Sequence, residues 1–171
     1  MPFSLIPDQV FARYSDITAP MLQKQGIELL LCDLDYTLAP RAVAVPDKAL
    51  RRWLTDLRTA GITVMILSNN RSSERVNTFC QDLGIPYVGH AGKPSRRGYR
   101  EAMQQAGVTT AQTAMLGDKL LTDVLGAKRS RVLALMVEPL GGPVGAWNHV
   151  LHLLQRPFKW LARQRRKKYL S

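Results

Sequence analysis

The sequence predicts an α/β protein, a parallel sheet covered by helices on both faces. Two observations predict it. Short apolar runs alternate along the chain with stretches of helical periodicity, the pattern of consecutive βαβ units. Chemically active polar residues follow several of those runs, as expected where the carboxyl ends of parallel strands open into one crevice.

Residues 7–18 read as a short helix with Val10, Phe11, Tyr14 and Ile17 on one face. Residues 27–33 form the first strong strand, and residues 38–45 a small flap. Pro46 suits a first helical turn; Leu50, Trp53, Leu54 and Leu57 follow helical spacing, and Gly61 closes the helix. Residues 62–67 are a second buried strand ending at Ser68, Asn69 and Asn70. The next helix carries Val76, Phe79, Cys80 and Leu83 and stops at Gly84. A short strand covers residues 86–88, and Pro94 opens a helix with Tyr99, Met103 and Ala106 inward. Residues 113–116 are a strand running into Gly117 and Asp118. A short helix covers about 120–128, and the last strand runs from Arg131 to Val137.

A chain of 171 residues fits one domain with a real core. Its 24 Lys and Arg against 13 Asp and Glu give a net charge of +11, which favours anionic partners: nucleic acid, an acidic membrane surface or a phosphorylated substrate. Cys32 and Cys80 show no metal or redox spacing, so a reducing compartment fits. The first residues lack the pattern of a signal peptide, and no run reaches the ~18 apolar residues of a spanning helix. A cytoplasmic protein, soluble or peripherally attached, is expected.

The most informative residues end the first strand. Asp33 and Asp35 are two apart, and in extended backbone both side chains point to one side. Like charges so close need a cation or a proton between them. Ser68 and Asn69 follow the second strand, Lys93 precedes a helix, and Asp118 and Asp123 follow a later strand. Singly, each is an ordinary turn, cap or solvated residue. Together at strand ends they suit phosphoryl transfer. Asp33 and Asp118 would hold a divalent cation, and a set of carboxylates without His or Cys favours Mg2+. Asp33 is the candidate nucleophile and Asp35 the candidate general acid and base. Ser68 and the Asn69 N–H would hold phosphate oxygens, and Lys93 would balance charge. Asp123 would orient Lys93 or a metal-bound water.

These residues resemble the haloacid dehalogenase (HAD) superfamily of phosphohydrolases. Asp33-Leu34-Asp35-Tyr36-Thr37 matches its D-x-D-x-T motif, Ser68 its strand-terminal hydroxyl, Lys93 its lysine, and Gly117-Asp118 with Asp123 its acidic pair. Tyr36 departs from the Gly of many members and puts an aromatic ring near the entrance. Gly92-Lys93-Pro94, the stretch 117–126 and Val137-Glu138-Pro139-Leu140 look like the YqeG-type branch of subfamily IIIA, a branch similar to phosphatidylglycerophosphate phosphatases. The resemblance implies a Rossmann-like HAD core. It also implies Mg2+ on Asp33, Asp118 and the Asp35 backbone carbonyl, with Thr37 and Asp123 in support. Only 30 residues separate Thr37 from Ser68, and 24 separate Ser68 from Lys93, so no cap domain fits and the open site suits a large substrate.

Residues 1–140 are therefore expected to form the phosphatase domain, with 1–25 a helical extension, and 141–171 a basic amphipathic helical tail. From Pro139 onward there is no Asp or Glu, and Arg156, Lys159, Arg163, Arg165, Arg166, Lys167 and Lys168 crowd the last sixteen residues. Trp147, Val150, Leu151 and Leu154 fall at helical spacing, and Pro157 is expected to begin a second segment with Phe158, Trp160 and Leu161. Such a tail can pack on the domain or lie in a membrane interface. The expectation is Mg2+-dependent dephosphorylation of phosphatidylglycerophosphate at the inner membrane face. The alternatives are a phosphatase of protein or nucleic-acid terminal phosphates, and an RNA- or ribosome-associated binder.

Overall fold

A computed structural model describes residues 4–69, 73–141 and 146–170; of residues 73, 146–148 and 165–170 only the backbone is described. The strands are β1 (Gln9–Phe11), β2 (Leu29–Cys32), β3 (Thr63–Leu67), β4 (Tyr87–Val88), β5 (Thr113–Gly117) and β6 (Leu133–Val137). The helices are α1 (Ala19–Lys24), α2 (Lys48–Thr59), α3 (Ser73–Leu83), α4 (Arg96–Ala106), α5 (Leu125–Ser130) and α6 (Ala146–Leu170). One six-stranded sheet runs in the order β1-β6-β5-β2-β3-β4, each pairing parallel.

Period-two alternation divides the strand side chains between two cores, which is why the runs are apolar throughout. Leu30, Cys32, Val64 and Ile66 pack with α2 and α3 through Leu54, Leu57, Val76 and Phe79. Leu29, Leu31, Met65 and Leu67 face Tyr99 and Met103 of α4, Ala127 of α5 and Ala162 of α6. The central strands β2 and β5 are paired on both edges, so their backbone groups are satisfied and their ends are held fixed.

The helix expected over residues 7–18 is not there. Residues 9–11 form an edge strand on β6, with Val10 in one core and Phe11 in the other. Asp8 fixes the register: its N–H donates to Ala134 O at 2.9 Å and its carboxylate accepts from Ala134 N–H at 2.8 Å. A helical turn over Tyr14–Asp16 follows. There Tyr14 packs edge-on to Trp53 at 5.0 Å, and the Trp53 indole N–H donates to Ile17 O at 2.8 Å. Apolar residues at 10, 11, 14 and 17 fit a helix face, but here they serve two sheet faces and a turn.

The helices over 48–59 and 96–106 start beyond Pro46 and Pro94 because side-chain caps fix their origins. Asp47 accepts from Leu50 N–H at 2.7 Å, and Ser95 from Arg97 N–H at 3.3 Å. The tail is one helix, not two, with Pro157 inside it. Its inner face packs on the β1 side of the sheet through Phe158 and Ala162. The buried Lys159 pairs with Glu138 at 2.5 Å, so it is not one of the outward charges expected of it, and Arg163 joins Glu138 at 3.2 Å. Trp147, Arg165, Arg166, Lys167 and Lys168 lie outside the described side chains, and Asn70 outside the described residues.

Candidate active site

The carboxyl ends of β2, β3 and β5 deliver Asp33, Ser68 and Asp118 to one end of the sheet, where all three are buried. Oxygen atoms of Asp33, Asp118 and Asp123 lie within 4.8 Å of one another. Lys93 bridges two of its members, Asp33 and Asp123. Its Nζ donates to Asp33 Oδ1 at 2.7 Å and stands 2.7 Å from Asp123 Oδ1. Burial works against the charged form of Lys93, but Asp123 and Asp33 outweigh it and hold the ammonium protonated.

Two backbone features bring Asp123 in. The π-helical turn Leu120–Val124 folds back so that Asp123 Oδ2 accepts the Lys119 N–H at 3.1 Å. Gly117 leaves the space: a Cβ there would overlap the Asp123 carboxyl group. Tyr99, fully buried on α4, donates to Asp123 O at 3.1 Å and pins the same turn from below.

Asp118 accepts the Thr37 hydroxyl at 3.2 Å and pairs with Lys119 at 3.4 Å. Its carboxyl is pushed up to about 7, first by burial and then by Asp123 and Asp33, with Lys119 pulling the other way. Asp123 is also raised, by burial and by Asp33, against the pull of Lys93 and Lys119. Raised carboxyls in a buried cluster mark negative charge that the protein alone does not fully neutralise. Three hard oxygen donors with that excess fit a divalent cation of the Mg2+ type.

The expectation that Asp33 and Asp35 converge through i, i+2 alternation does not hold. β2 ends at Cys32, and the carboxylates separate: Asp33 turns to Lys93, Asp35 to Arg75 Nε at 3.0 Å. Asp118 and Asp123, distant in sequence, are the neighbours of Asp33. Arg75 was not legible as a site residue. From the first turn of α3 it also donates to the carbonyls of Pro40, at 3.2 Å, and Val43, tying the flap to Asp35. Lys119 is signalled in the sequence only through its place beside Asp118. It stands 3.9 Å from Asp33 Oδ2 and 5.9 Å from the Tyr36 ring.

Tyr36 has φ +67°, the left-handed region that Gly adopts most easily. Two hydrogen bonds hold it there: its N–H donates to Ala39 O and its carbonyl accepts Leu140 N–H, both at 2.8 Å. The ring stands by the site, as the departure from Gly implied. Asn69 supports Lys93 directly. Its side-chain amide donates to Lys93 O at 2.8 Å and its Oδ1 accepts Lys93 N–H at 2.7 Å. Ser68 is buried beside it, its N–H donating to Val88 O at 3.1 Å.

The model of the haloacid dehalogenase-like hydrolase family matches residues 13–131, which include every residue of this site. The chain belongs to that family. It is 32% identical over 142 residues to the "Probable phosphatase YqeG" of Bacillus subtilis (strain 168), covering 82% of this chain and 81% of that protein. It is 29% identical over 135 residues to the chloroplastic phosphatidylglycerophosphate phosphatase 1 of Chlamydomonas reinhardtii. That match covers 72% of this chain and half the length of the algal protein. A solved structure of a hypothetical protein from Xanthomonas campestris shares the fold, with a TM-score of 0.51 at 21% identity over 73% of this chain and 71% of that one. The chain is thus an HAD-type phosphatase with a Rossmann-like parallel sheet. Among the described residues, the segment between Thr37 and Ser68 holds only the flap, α2 and β3. Among the described residues, that between Ser68 and Lys93 holds only α3 and β4.

Proposed function

We propose that this HAD phosphatase hydrolyses the terminal phosphomonoester of phosphatidylglycerophosphate, with Mg2+ and through an aspartyl-phosphate. The observation that carries the chemistry is the buried group of Asp33, Asp118, Asp123 and Lys93. Asp33 and Asp118 would hold Mg2+, with the Asp35 carbonyl as a further oxygen ligand. When bound, the ion supplies positive charge to the phosphate oxygens.

An Asp33 carboxylate oxygen attacks phosphorus and the bond to the leaving alkoxide breaks. The Asp35 carboxylic acid gives its proton to that alkoxide. Asp35, now a carboxylate, takes a proton from water, whose oxygen attacks phosphorus, releases phosphate and regenerates Asp33. Lys93 balances charge on the transferring group. The Ser68 hydroxyl and the Asn69 N–H take up phosphate oxygens, while the Asn69 side chain keeps Lys93 in place. Thr37 orients Asp118, and Asp123 orients Lys93.

Three observations favour the lipid. The Chlamydomonas protein is named for that substrate. Among the described residues nothing inserted covers the site. The tail carries positive charge without acidic residues. Among the described residues no helix is long and apolar enough to cross a membrane, so a lipid would be met at a surface. The test is phosphate release by purified protein with Mg2+ across phosphatidylglycerophosphate, nucleotide, nucleic-acid-end and phosphopeptide substrates. Marked preference for the lipid supports the reading, and preference for a phosphopeptide or nucleic-acid end replaces it.

A further inference from the structure

Helix α6 has two faces of different fate. Gln155, Phe158, Lys159 and Ala162 turn toward the domain, and Lys159 and Arg163 anchor the helix on Glu138. Val150, Leu153, Leu154, Trp160 and Leu161 point away from it. Leu153, Leu154 and Trp160 are 59%, 61% and 59% exposed. At 100° per residue these five, with Pro157 among them, fall within an arc of about 120°, and they run for roughly 17 Å along the helix. The stripe is opposite the face that packs, so the domain's own core does not explain it. A soluble helix normally keeps its apolar side inward.

We infer that this stripe is a bilayer-lying face, and that its partner is the surface of a membrane containing anionic lipid. Charge selects that occupant. Residues 139–171 carry no acidic residue, the exposed Arg156 lies within about 40° of the stripe's edge, and Arg163, about 60° from it, shares the single carboxylate of Glu138 with Lys159, which leaves positive charge in excess. Apolar residues flanked by cations match acyl chains beneath anionic headgroups. A second copy of a chain with net charge +11 would bring two basic helices together. Nucleic acid offers nothing to the aliphatic residues of the stripe.

The placement also bears on the phosphatase site. Glu138 follows β6 directly, at the end of the sheet that carries Asp118, and two residues later Leu140 N–H bonds the carbonyl of Tyr36 at 2.8 Å. The helix is thus braced at the catalytic end of the sheet.

The inference adds a surface to the lipid-phosphatase reading, but its test needs no phosphatase substrate, so the two fail separately. Full-length protein is sedimented with vesicles of phosphatidylcholine alone and of phosphatidylcholine with phosphatidylglycerol. The expected result is binding to the anionic vesicles only, weakened by salt. Leu153→Gln combined with Trp160→Gln should weaken it about tenfold or more, because apolar contact with the acyl region is lost. Both residues are exposed, so circular dichroism and melting should match the parent. Wild-type protein left in the supernatant overturns the inference. So does unchanged binding by the double variant, and so does a solution dimer that the same substitutions dissociate.

Discussion

Gly117→Ala adds one methyl group at the end of β5, and the structure gives it nowhere to go. The new Cβ would overlap Asp123 Cβ, Cγ and Oδ2. Asp123 is buried and cannot swing aside without releasing Lys93, 2.7 Å away, and the Lys119 N–H at 3.1 Å. Overpacking of this kind costs about 1–3 kcal/mol. Weakening a buried charge contact adds to it, so a loss of about 3 kcal/mol is expected. For a domain of this size that lowers Tm by about 6–12 °C. The displaced carboxylate lies within 4.8 Å of the Asp33 and Asp118 oxygens proposed to hold Mg2+, so its movement should disturb them and Mg2+ should protect the variant less than the parent. Thermal melts with and without Mg2+, followed by circular dichroism, measure both effects. Gly89→Ala is the control: its nearest atoms are ring carbons of Tyr87 at 3.6 and 3.8 Å, an ordinary contact, and a change within about 0.5 kcal/mol is expected. A Gly117→Ala protein with the parent's Tm and Mg2+ response would refute the claim that Gly117 makes room for Asp123.

Arg75→Ala frees Asp35 and the flap together, and kcat should fall about tenfold or more with a smaller change in KM; Arg75→Lys should not rescue it, because an ammonium cannot reproduce the planar fork. Without metal, Asp118 keeps a proton up to about pH 7 in the folded state, whereas the unfolded chain loses it near 3.8. Asp118 should therefore make the metal-free protein less stable as pH rises between those values, and Mg2+ should raise Tm more on the alkaline side of that range; melts in chelator and in Mg2+ across pH report both. Glu138→Gln leaves the buried Lys159 ammonium without its carboxylate. Glu138 is one-third exposed, so solvent offsets part of the cost of a fully buried pair and about 1–2 kcal/mol is expected, read as faster amide hydrogen exchange along α6 than in β2 or β5.

The alternation of apolar runs and helical spacing was enough to expect β2, β3, β5 and β6 and the helices between them, because buried parallel strands and amphipathic helices write different periods. The edge strand at Gln9–Phe11 was not legible. Three residues carry no distinguishable period, and their conformation is imposed by β6 and by Asp8. Pro46 and Pro94 suggested helix starts, but Asp47 and Ser95 decide them through hydrogen bonds visible only in three dimensions. At the site, the contact of Asp123 with Lys93 was legible, and the structure places them 2.7 Å apart, whereas the partner of Asp35 was not. Asp33 and Asp35 look like partners because residues two apart in extended backbone point to one side, yet the strand ends before Asp35 and a helix 40 residues away supplies its cation. The sequence suggests a role for the Asn69 N–H, while its side chain is a clamp on Lys93. Lys159 looks like an outward charge because nothing in the sequence announces that Glu138 comes to meet it.

The nucleophilic role proposed for Asp33 is decided by phosphate release from the Asp33→Asn protein. Turnover should be lost with every phosphomonoester, in a protein whose circular dichroism is that of the parent. Asp33→Asn protein that still releases phosphate at a rate comparable to the parent would contradict it.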